Sequence, residues 1–242
     1  MSVGVDARVD ALAEACERDL GDAGAWFTPR IYRDSLALSI IDSIYSTGAS
    51  YVTVERIIDR YTTFRANQGG DATQDGAREL LATFEELGDA SAWATQIGNR
   101  RPTSSTPGAP LKAQAIVDLA SHLVELGITT TAELRDVAET AALDVVRKAW
   151  VSVPGQRSGT TWIYVLMLSG VSGVIADRRV IDYVARVLEV PAGDITPMPA
   201  TALIDDVAHR NGWNPIHTDY AIWRFATDRS VRRPTEEEPS VS

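Results

Sequence analysis

Cysteine and histidine are scarce in this sequence. Cys16 is the only cysteine, which excludes an internal disulfide and any zinc or iron–sulfur site built on four cysteines. Its apolar neighbours predict that Cys16 is buried. The three histidines, His122, His209 and His217, lack the spacing of metal ligands. We therefore expect no metal site.

Long apolar runs and strand patterns are also missing. No apolar run approaches the length of a membrane span, and the N-terminus lacks the basic and apolar regions of a signal peptide. We therefore expect a cytoplasmic protein without a membrane partner. No stretch of convincing length alternates between polar and apolar residues, which argues against doubly wound and barrel folds. The chain is predicted to be all-α.

Acidic residues outnumber basic residues, but not uniformly. The 33 acidic and 23 basic residues give a net charge of −10, which argues against non-specific nucleic-acid binding by the surface as a whole. Between residues 147 and 186 the balance reverses, with six basic residues and two acids. A positive surface can therefore exist on an acidic protein.

Apolar residues at helical spacing predict short helices along the whole chain. The main predicted helices are 6–20, 35–45, 52–64, 76–87, 91–97, 111–126, 142–150, 163–168, 178–190, 201–210 and 219–227. Thr131 is predicted to cap a further helix that carries Glu133. Residues 98–110 contain three prolines and are predicted to form a flexible loop. The aromatic residues Trp150, Trp162, Tyr164 and Trp223 are predicted to lie in the core.

A glycine-containing turn, Val153-Pro-Gly-Gln-Arg-Ser-Gly159, separates two of these helices. The backbone N–H groups of such a turn suit a phosphate. A nucleotide-triphosphate loop is excluded, because the turn has no lysine and follows no strand. Asp177 comes after the next helix and loop, directly before Arg178-Arg179-Val180. A carboxylate there suits either helix capping or chemistry.

The joint spacing of Gly155, Gly159 and Asp177 resembles the helix-hairpin-helix DNA glycosylase superfamily (HhH-GPD). The resemblance covers about residues 35–225 and reaches the level of a motif only at about 150–180. It implies two helical lobes with a helix-hairpin-helix motif at about 142–170. The implied organisation is an N-terminal segment, 1–34, packed with the C-terminal lobe; a barrel-like lobe, 35–190; C-terminal helices, 191–229; and a disordered acidic tail, 230–242.

The resemblance also implies a function and a site. Double-stranded DNA is the implied partner, which would associate the protein with the nucleoid. Asp177 is the implied catalytic residue, acting through water on the bond between a damaged or modified base and its sugar. The implied phosphate contacts are Gly155, Gln156, Arg157, Ser158 and Gly159. Residues proposed for the groove or pocket are Tyr45, Thr47, Tyr51, Lys112 and Arg178.

Three positions depart from the hairpin of that superfamily. Gln156 replaces the usual apolar residue, and Arg157 replaces the usual second glycine. Gly159 stands where bifunctional members carry a nucleophilic lysine, so the resemblance implies a monofunctional enzyme. The cluster-binding cysteines of some members are missing, which implies no iron–sulfur cluster. The hairpin still allows a monovalent cation.

Two alternatives to an active enzyme stay open on the sequence. One is a catalytically degenerate helix-hairpin-helix protein that binds DNA or a protein partner without base excision. The other is a helical protein-binding module, for which the acidic surface and tail would suffice. Asp177 as a simple N-cap and Arg178 as a solvated arginine fit either alternative.

Overall fold

The computed structural model describes residues 5–28, 30–171, 178–227 and 230–232. Within these residues it contains twelve α-helices, two short 3-10 helices and no β-strand. The prediction of an all-α protein is confirmed. In chain order the helices are α1 (Val5–Leu20), α2 (Leu36–Tyr45), α3 (Tyr51–Asn67), α4 (Ala77–Leu87), α5 (Ala90–Gln96), α6 (Lys112–Glu125), α7 (Thr131–Ala138), α8 (Leu143–Ser152), α9 (Thr160–Leu168), α10 (Arg178–Val187), α11 (Pro197–Arg210) and α12 (Pro215–Ala226).

The chain divides into two compact units. The central unit comprises residues 30–171, and the terminal unit comprises residues 1–29 and 172–242. These boundaries differ from the predicted ones at residues 34 and 190. The segment after Arg30 belongs to the central unit, where the N–H of Tyr32 donates to the carbonyl of Leu168 at 2.7 Å. Helix α10 belongs to the terminal unit, because it packs against α1, α11 and α12.

Helix α2 lies in the core of the central unit. All ten of its residues are buried, and it packs against α3, α4, α6 and α9. Its sequence is apolar on nearly every side, which is typical of a helix surrounded by other helices. Ser35 begins the helix, because its Oγ accepts a hydrogen bond from the N–H of Leu38 at 3.2 Å. Each large apolar side chain buried here contributes roughly 1.5–3 kcal/mol.

A buried ion pair fixes the loop between α3 and α4. Asp75 is 3% exposed. Its carboxylate accepts hydrogen bonds from Arg65 Nε at 2.6 Å, from Arg65 Nη2 at 3.0 Å and from the hydroxyl of Tyr61 at 2.8 Å. Its backbone carbonyl accepts from the N–H of Ala37 at 3.1 Å. The loop is therefore tied both to α3 and to the first turn of α2.

The cap of α7 lies one residue before the predicted one. Thr130 is the N-cap, because its Oγ1 accepts from the N–H of Glu133 at 3.2 Å, while the Glu133 carboxylate accepts from the N–H of Thr130 at 2.9 Å. This reciprocal pair is a capping box. Thr131 instead donates its hydroxyl to the carbonyl of Arg33 at 2.5 Å. A run of three threonines does not reveal which of them is the cap.

Helices α1, α10, α11 and α12 are the α-helices of the described part of the terminal unit, and they pack against one another. Cys16 lies in its core with no exposed surface, which confirms its predicted burial, and this burial raises the pKa of the thiol to about 12. Trp26 packs edge-on against Trp213, with ring centroids 5.1 Å apart. Tyr183 and Phe225 form a second edge-on pair at 5.7 Å.

The last two helices begin earlier than predicted. Helix α11 begins at Pro197 rather than at residue 201, and α12 begins at Pro215 rather than at residue 219. In both cases a proline occupies the first turn. Its fixed φ and missing N–H suit that position. Proline marks these helix starts, although apolar periodicity alone places them one turn later.

The C-terminal end is ordered further than predicted. Residues 230–232 were predicted to belong to the disordered tail. Instead, the carbonyl of Val231 accepts from the N–H of Phe27 at 2.8 Å, and Arg232 forms a bridge with Trp26. Residues 233–242, which hold the rest of the predicted tail, lie outside the described residues.

Candidate nucleic-acid interface

A hairpin, residues 153–159, joins α8 to α9 in the central unit. The N–H of Gln156 donates to the carbonyl of Val153 at 3.0 Å, and the N–H of Gly159 donates to the carbonyl of Gln156 at 3.0 Å. Gly155 and Gly159 have φ values of +86° and +74°. Side chains are disfavoured in that conformation, so both glycines are required by the backbone.

Arg157 fits the hairpin without backbone strain. Among the described residues, Glu189 is the one non-glycine residue with a positive φ. Arg157 therefore has an ordinary conformation, although it stands where the resemblance implies a second glycine. Its side chain is exposed.

A chain of buried hydrogen bonds braces the hairpin from inside. The indole N–H of Trp150 on α8 donates to Thr161 Oγ1 on α9 at 3.0 Å. The Thr161 hydroxyl donates to Gln156 Oε1 at 2.6 Å. Trp150 also packs against Trp162, with ring centroids 5.7 Å apart. The predicted core positions of Trp150, Trp162 and Trp223 are confirmed, since each is at most 8% exposed, while Tyr164 is only partly buried.

The hairpin also contacts the loop between α5 and α6. A Cβ atom added at Gly155 would lie 2.5 Å from the Cβ of Thr103. A Cβ atom added at Gly159 would meet nothing within 4 Å. Thr103 is itself held by its N–H, which donates to the carbonyl of Pro110 at 2.8 Å. Within this loop, Thr103 therefore packs directly against the backbone of Gly155.

The structure changes the list of predicted phosphate contacts. The prediction that Gln156 contacts phosphate is corrected, because its side chain is only 3% exposed and its N–H donates to a carbonyl within the turn. The Gln156 amide takes the place of the usual apolar residue, and its oxygen accepts a hydrogen bond from the Thr161 hydroxyl. Gly159 is buried, and its N–H is also used within the turn. Gly155, Arg157 and Ser158 are exposed and stay the predicted contacts.

The hairpin and its supporting loop form an acid-free part of an acidic chain. Residues 90–117 and 145–171 contain no aspartate or glutamate. The two segments carry six basic residues: Arg100, Arg101, Lys112, Arg147, Lys148 and Arg157. Three of these, Arg147, Lys148 and Arg157, are exposed and make no hydrogen bond or ion pair with any residue that the structure describes. The contact between Gly155 and Thr103 brings the two segments together. The nearest acid in sequence, the exposed Asp144, lies one turn before Arg147 and Lys148 on α8.

Three of the predicted groove residues are structural instead. The Lys112 ammonium donates to the carbonyl of Ile44 at 3.0 Å, to Thr47 Oγ1 at 3.0 Å and to the carbonyl of Thr47. The carbonyl of Ile44 belongs to the last turn of α2, and it also accepts from Thr47 Oγ1 at 2.8 Å. Tyr45 is fully buried. Lys112 and Thr47 thus bind the end of α2, and the side chains of Lys112 and Tyr45 are buried, while Thr47 is partly exposed.

Burial perturbs the ammonium at this helix end. It lowers the pKa of Lys112 to about 8, and the nearby guanidinium of Arg101 acts in the same direction. Arg101 donates to the carbonyl of Gly48 at 2.7 Å. Two cations therefore donate hydrogen bonds to carbonyls at the end of α2 and just beyond it, and positive charge is favourable at a helix C-terminus.

The other predicted site residues lie in separate places. Tyr51 is 50% exposed at the start of α3, with the Arg30 guanidinium 5.5 Å from its ring centroid. Arg178 is exposed at the start of α10 in the terminal unit. Asp177, the predicted catalytic residue, lies outside the described residues. Its role stays a prediction.

The sequence interpretation missed a second polar cluster, around Asp42 on α2. Asp42 is 6% exposed. It accepts hydrogen bonds from the Tyr32 hydroxyl at 2.9 Å and from Ser46 Oγ at 2.7 Å. Burial raises the pKa of this carboxyl, and the two hydroxyls and the charge of Arg30 oppose the shift. The signal in the sequence is a single acid in a helix that otherwise contains only apolar residues, two serines and a tyrosine.

The chain belongs to the family described as Domain of unknown function (DUF8548), which matches residues 10–227. No curated protein and no solved structure matches the chain. Among the described residues, no group of three or more His, Cys, Asp or Glu side chains could hold a metal ion. None of the described helices is both long enough and apolar enough to cross a membrane.

Proposed function

We propose that this protein binds duplex DNA through the hairpin and releases a damaged or modified base, as a monofunctional DNA N-glycosylase of the helix-hairpin-helix type. One observation carries the proposal. Arg157 is exposed and makes no hydrogen bond or ion pair with a described residue, on a braced glycine turn of a chain with a net charge of −10. An acidic protein that exposes a cation without a partner among the described residues, on a hydrogen-bonded turn, suits an anionic partner.

The hairpin has the groups needed to bind one backbone phosphate. Arg157 supplies charge, and the exposed Gly155 and Ser158 lie on the same short turn. Thr103 occupies the side on which a Cβ of Gly155 would stand, so the phosphate would meet the turn at the exposed Arg157 and Ser158. Phosphate contacts of this kind fix the position of a duplex without reading its sequence. Arg147 and Lys148, exposed on the preceding helix, would add charge along the same strand.

The reaction would use Asp177 and a water molecule. The target base would first leave the stack. The bond between C1′ of the sugar and the base nitrogen then breaks, and the base leaves with the bonding electrons. Positive charge develops on the sugar, which the Asp177 carboxylate would stabilise. The water oxygen bonds to C1′ and loses a proton to the carboxylate. Gly159 offers no amine, so no covalent intermediate forms at that position.

Duplex binding tests the hairpin. We expect Arg157→Ala to weaken the binding of an undamaged duplex and to lower by about one the slope of log affinity against log salt, since one phosphate contact is lost. Arg78→Ala is the matched control, because Arg78 is exposed on α4 without a described contact and lies next to Glu79. Fluorescence anisotropy at several salt concentrations measures the affinity and its salt slope for each variant. Equal losses in the two variants would contradict a specific role for the hairpin.

Base release tests the chemistry separately. Duplexes carrying different damaged or modified bases would be incubated with the protein and scored for abasic sites. We expect release from at least one duplex, and we expect Asp177→Asn to lose that release while keeping its affinity for DNA. Full activity of Asp177→Asn would remove Asp177 from the mechanism. Salt-sensitive DNA binding without release from any duplex would favour the degenerate DNA-binding alternative.

A further inference from the structure

The loop at residues 98–110 has a defined conformation at both its base and its tip. At the base, the N–H of Thr103 donates to the carbonyl of Pro110 at 2.8 Å. At the tip, the N–H of Ala109 donates to the carbonyl of Thr106 at 3.0 Å. Because these bonds hold the loop before any ligand arrives, binding there loses less conformational entropy than binding to a free loop.

The loop meets the hairpin at one contact. A Cβ atom added at Gly155 would lie 2.5 Å from the Cβ of Thr103. Consecutive Cα atoms are about 3.8 Å apart, so Ser105 lies within about 8 Å of Thr103, and Arg157 lies within about 8 Å of Gly155. A duplex carries one phosphate per about 1.7 Å of its axis, so several phosphates fall within a span of this size.

Three consecutive exposed residues with hydroxyl side chains follow Thr103, and we call them the hydroxyl segment: Ser104, Ser105 and Thr106. Ser104 Oγ accepts from the N–H of Thr106 at 3.3 Å, which leaves its own hydrogen for another acceptor. Within the described ranges, the N–H groups of Ser104 and Ser105 have no hydrogen-bond acceptor. No acid lies between residues 90 and 117. Besides arginine and lysine, hydroxyl and backbone N–H groups are common donors to DNA phosphates.

We propose that the hydroxyl segment binds a backbone phosphate of the same duplex that the hairpin holds. Ser104 and Ser105 donate through their backbone N–H groups, and the Ser105 hydroxyl adds a third donor. These donors are uncharged, so they strengthen binding without the counterion release that a lysine or arginine contact brings. A second contact beside Arg157 also fixes the orientation of the duplex on the hairpin. This inference rests on the DNA binding in the proposed function.

Substitutions at Ser105 test the segment by fluorescence anisotropy with an undamaged duplex. We expect Ser105→Ala to weaken binding roughly 2- to 10-fold, because one hydrogen bond is lost. The slope of log affinity against log salt should stay the same, unlike the slope of Arg157→Ala. Ser105→Glu should weaken binding more, by a factor that shrinks as salt is added, because its carboxylate repels the phosphate.

Thr63→Ala and Thr63→Glu are the matched controls, because Thr63 is exposed on α3 and its hydroxyl has no described partner. The two glutamate variants have the same net charge, so a difference between them reports position. Equal affinities of the Ser105 and Thr63 variants would overturn the inference. A loss in Ser105→Glu with no loss in Ser105→Ala would also overturn it, since the segment would then lie near the duplex without binding it.

Two-dimensional amide NMR of the full-length protein tests the backbone donors directly. During titration with a short duplex, we expect the amide signals of Ser104 and Ser105 to shift together with that of Ser158, with one dissociation constant. The signal of Thr63 should stay in place. A shift of Ser158 without any shift in the hydroxyl segment would contradict the inference.

The two proposals fail in different ways. If the hairpin responds to the duplex and a base is released while the hydroxyl segment does not respond, this inference is wrong and the glycosylase remains. If the hairpin and the segment both respond but no base is released from any duplex, this inference is supported and the glycosylase is wrong. A protein that binds no duplex would overturn both.

Discussion

At the scale of single residues, two glycines of the hairpin play different structural parts. Gly155 combines a positive φ with a backbone approach to Thr103, whereas Gly159 has the positive φ alone. A motif comparison treats the two glycines alike, because it records only residue type and spacing. In the structure, both glycines are required by their positive φ, and Gly155 is also required by its contact with Thr103. A pair of substitutions measures the two effects.

We expect Gly159→Ala to lower the free energy of unfolding by about 1 kcal/mol, the usual cost of a side chain at positive φ. Gly155→Ala should cost more, about 2–4 kcal/mol, because the new methyl group also collides with Thr103. Urea denaturation measures both. Gly48→Ala, with a φ of +69° and nothing within 4 Å, is the control for strain alone. Equal costs at residues 155 and 159 would show that the contact with Thr103 is unimportant.

Asp42 permits a second residue-scale prediction, about pH. Burial raises its pKa in the folded protein, so between the unfolded and the folded pKa the folded state binds more protons than the unfolded state. Stability contributed by this group is therefore present at low pH and is lost as pH rises through that window. Asp42→Asn should raise the melting temperature at neutral pH, by a few degrees for about 1 kcal/mol, with little change at acidic pH. A lower melting temperature at neutral pH would show that the carboxylate stabilises the fold.

At the scale of helices, the sequence predicted the existence of elements better than their ends. Periodic apolar residues decide whether a segment is helical, and that pattern is local. The end of α2 depends on Lys112, which lies 65 residues beyond Thr47 and donates to it across the unit. No local pattern indicates such a contact, so the sequence predicts Lys112 as a groove residue. The early starts of α11 and α12 have a local cause, since each helix has a proline in its first turn.

Lys112→Met tests this helix end. It leaves the carbonyls of Ile44 and Thr47 without their buried donor, and we expect a loss of about 2–3 kcal/mol in the free energy of unfolding. Lys148→Met is the control, because Lys148 is exposed without a described contact.

The folded pKa of Lys112, about 8, lies below its ordinary value of 10.5. The unfolded chain therefore binds more protons between these values, and this group makes stability rise with pH there. The rise should be absent in Lys112→Met, and its persistence would assign it to another group.

At the scale of the whole molecule, charge and motif predict opposite behaviour towards DNA. The net charge of −10 repels a polyanion, while the acid-free segments around the hairpin attract it. Sequence spacing located the hairpin, but not the packing of the loop at 98–110 against it. That contact brings the two acid-free segments together, and the spacing alone could not show that Gln156 is buried. Whether attraction exceeds repulsion is a question that salt dependence answers.

Three exposed basic residues without described contacts, Arg147, Lys148 and Arg157, set the expected salt dependence. If each meets one phosphate, log affinity falls with log salt with a slope of about −2.7. Affinity should then fall roughly 40-fold between 50 and 200 mM salt. Salt also screens the repulsion by the acidic remainder of the protein, so the observed slope should be somewhat shallower. Reversing one charge, as in Lys148→Glu, should make the slope shallower still. If the affinity of the unmodified protein instead stays constant or rises with salt, the acidic surface dominates and DNA is not the partner.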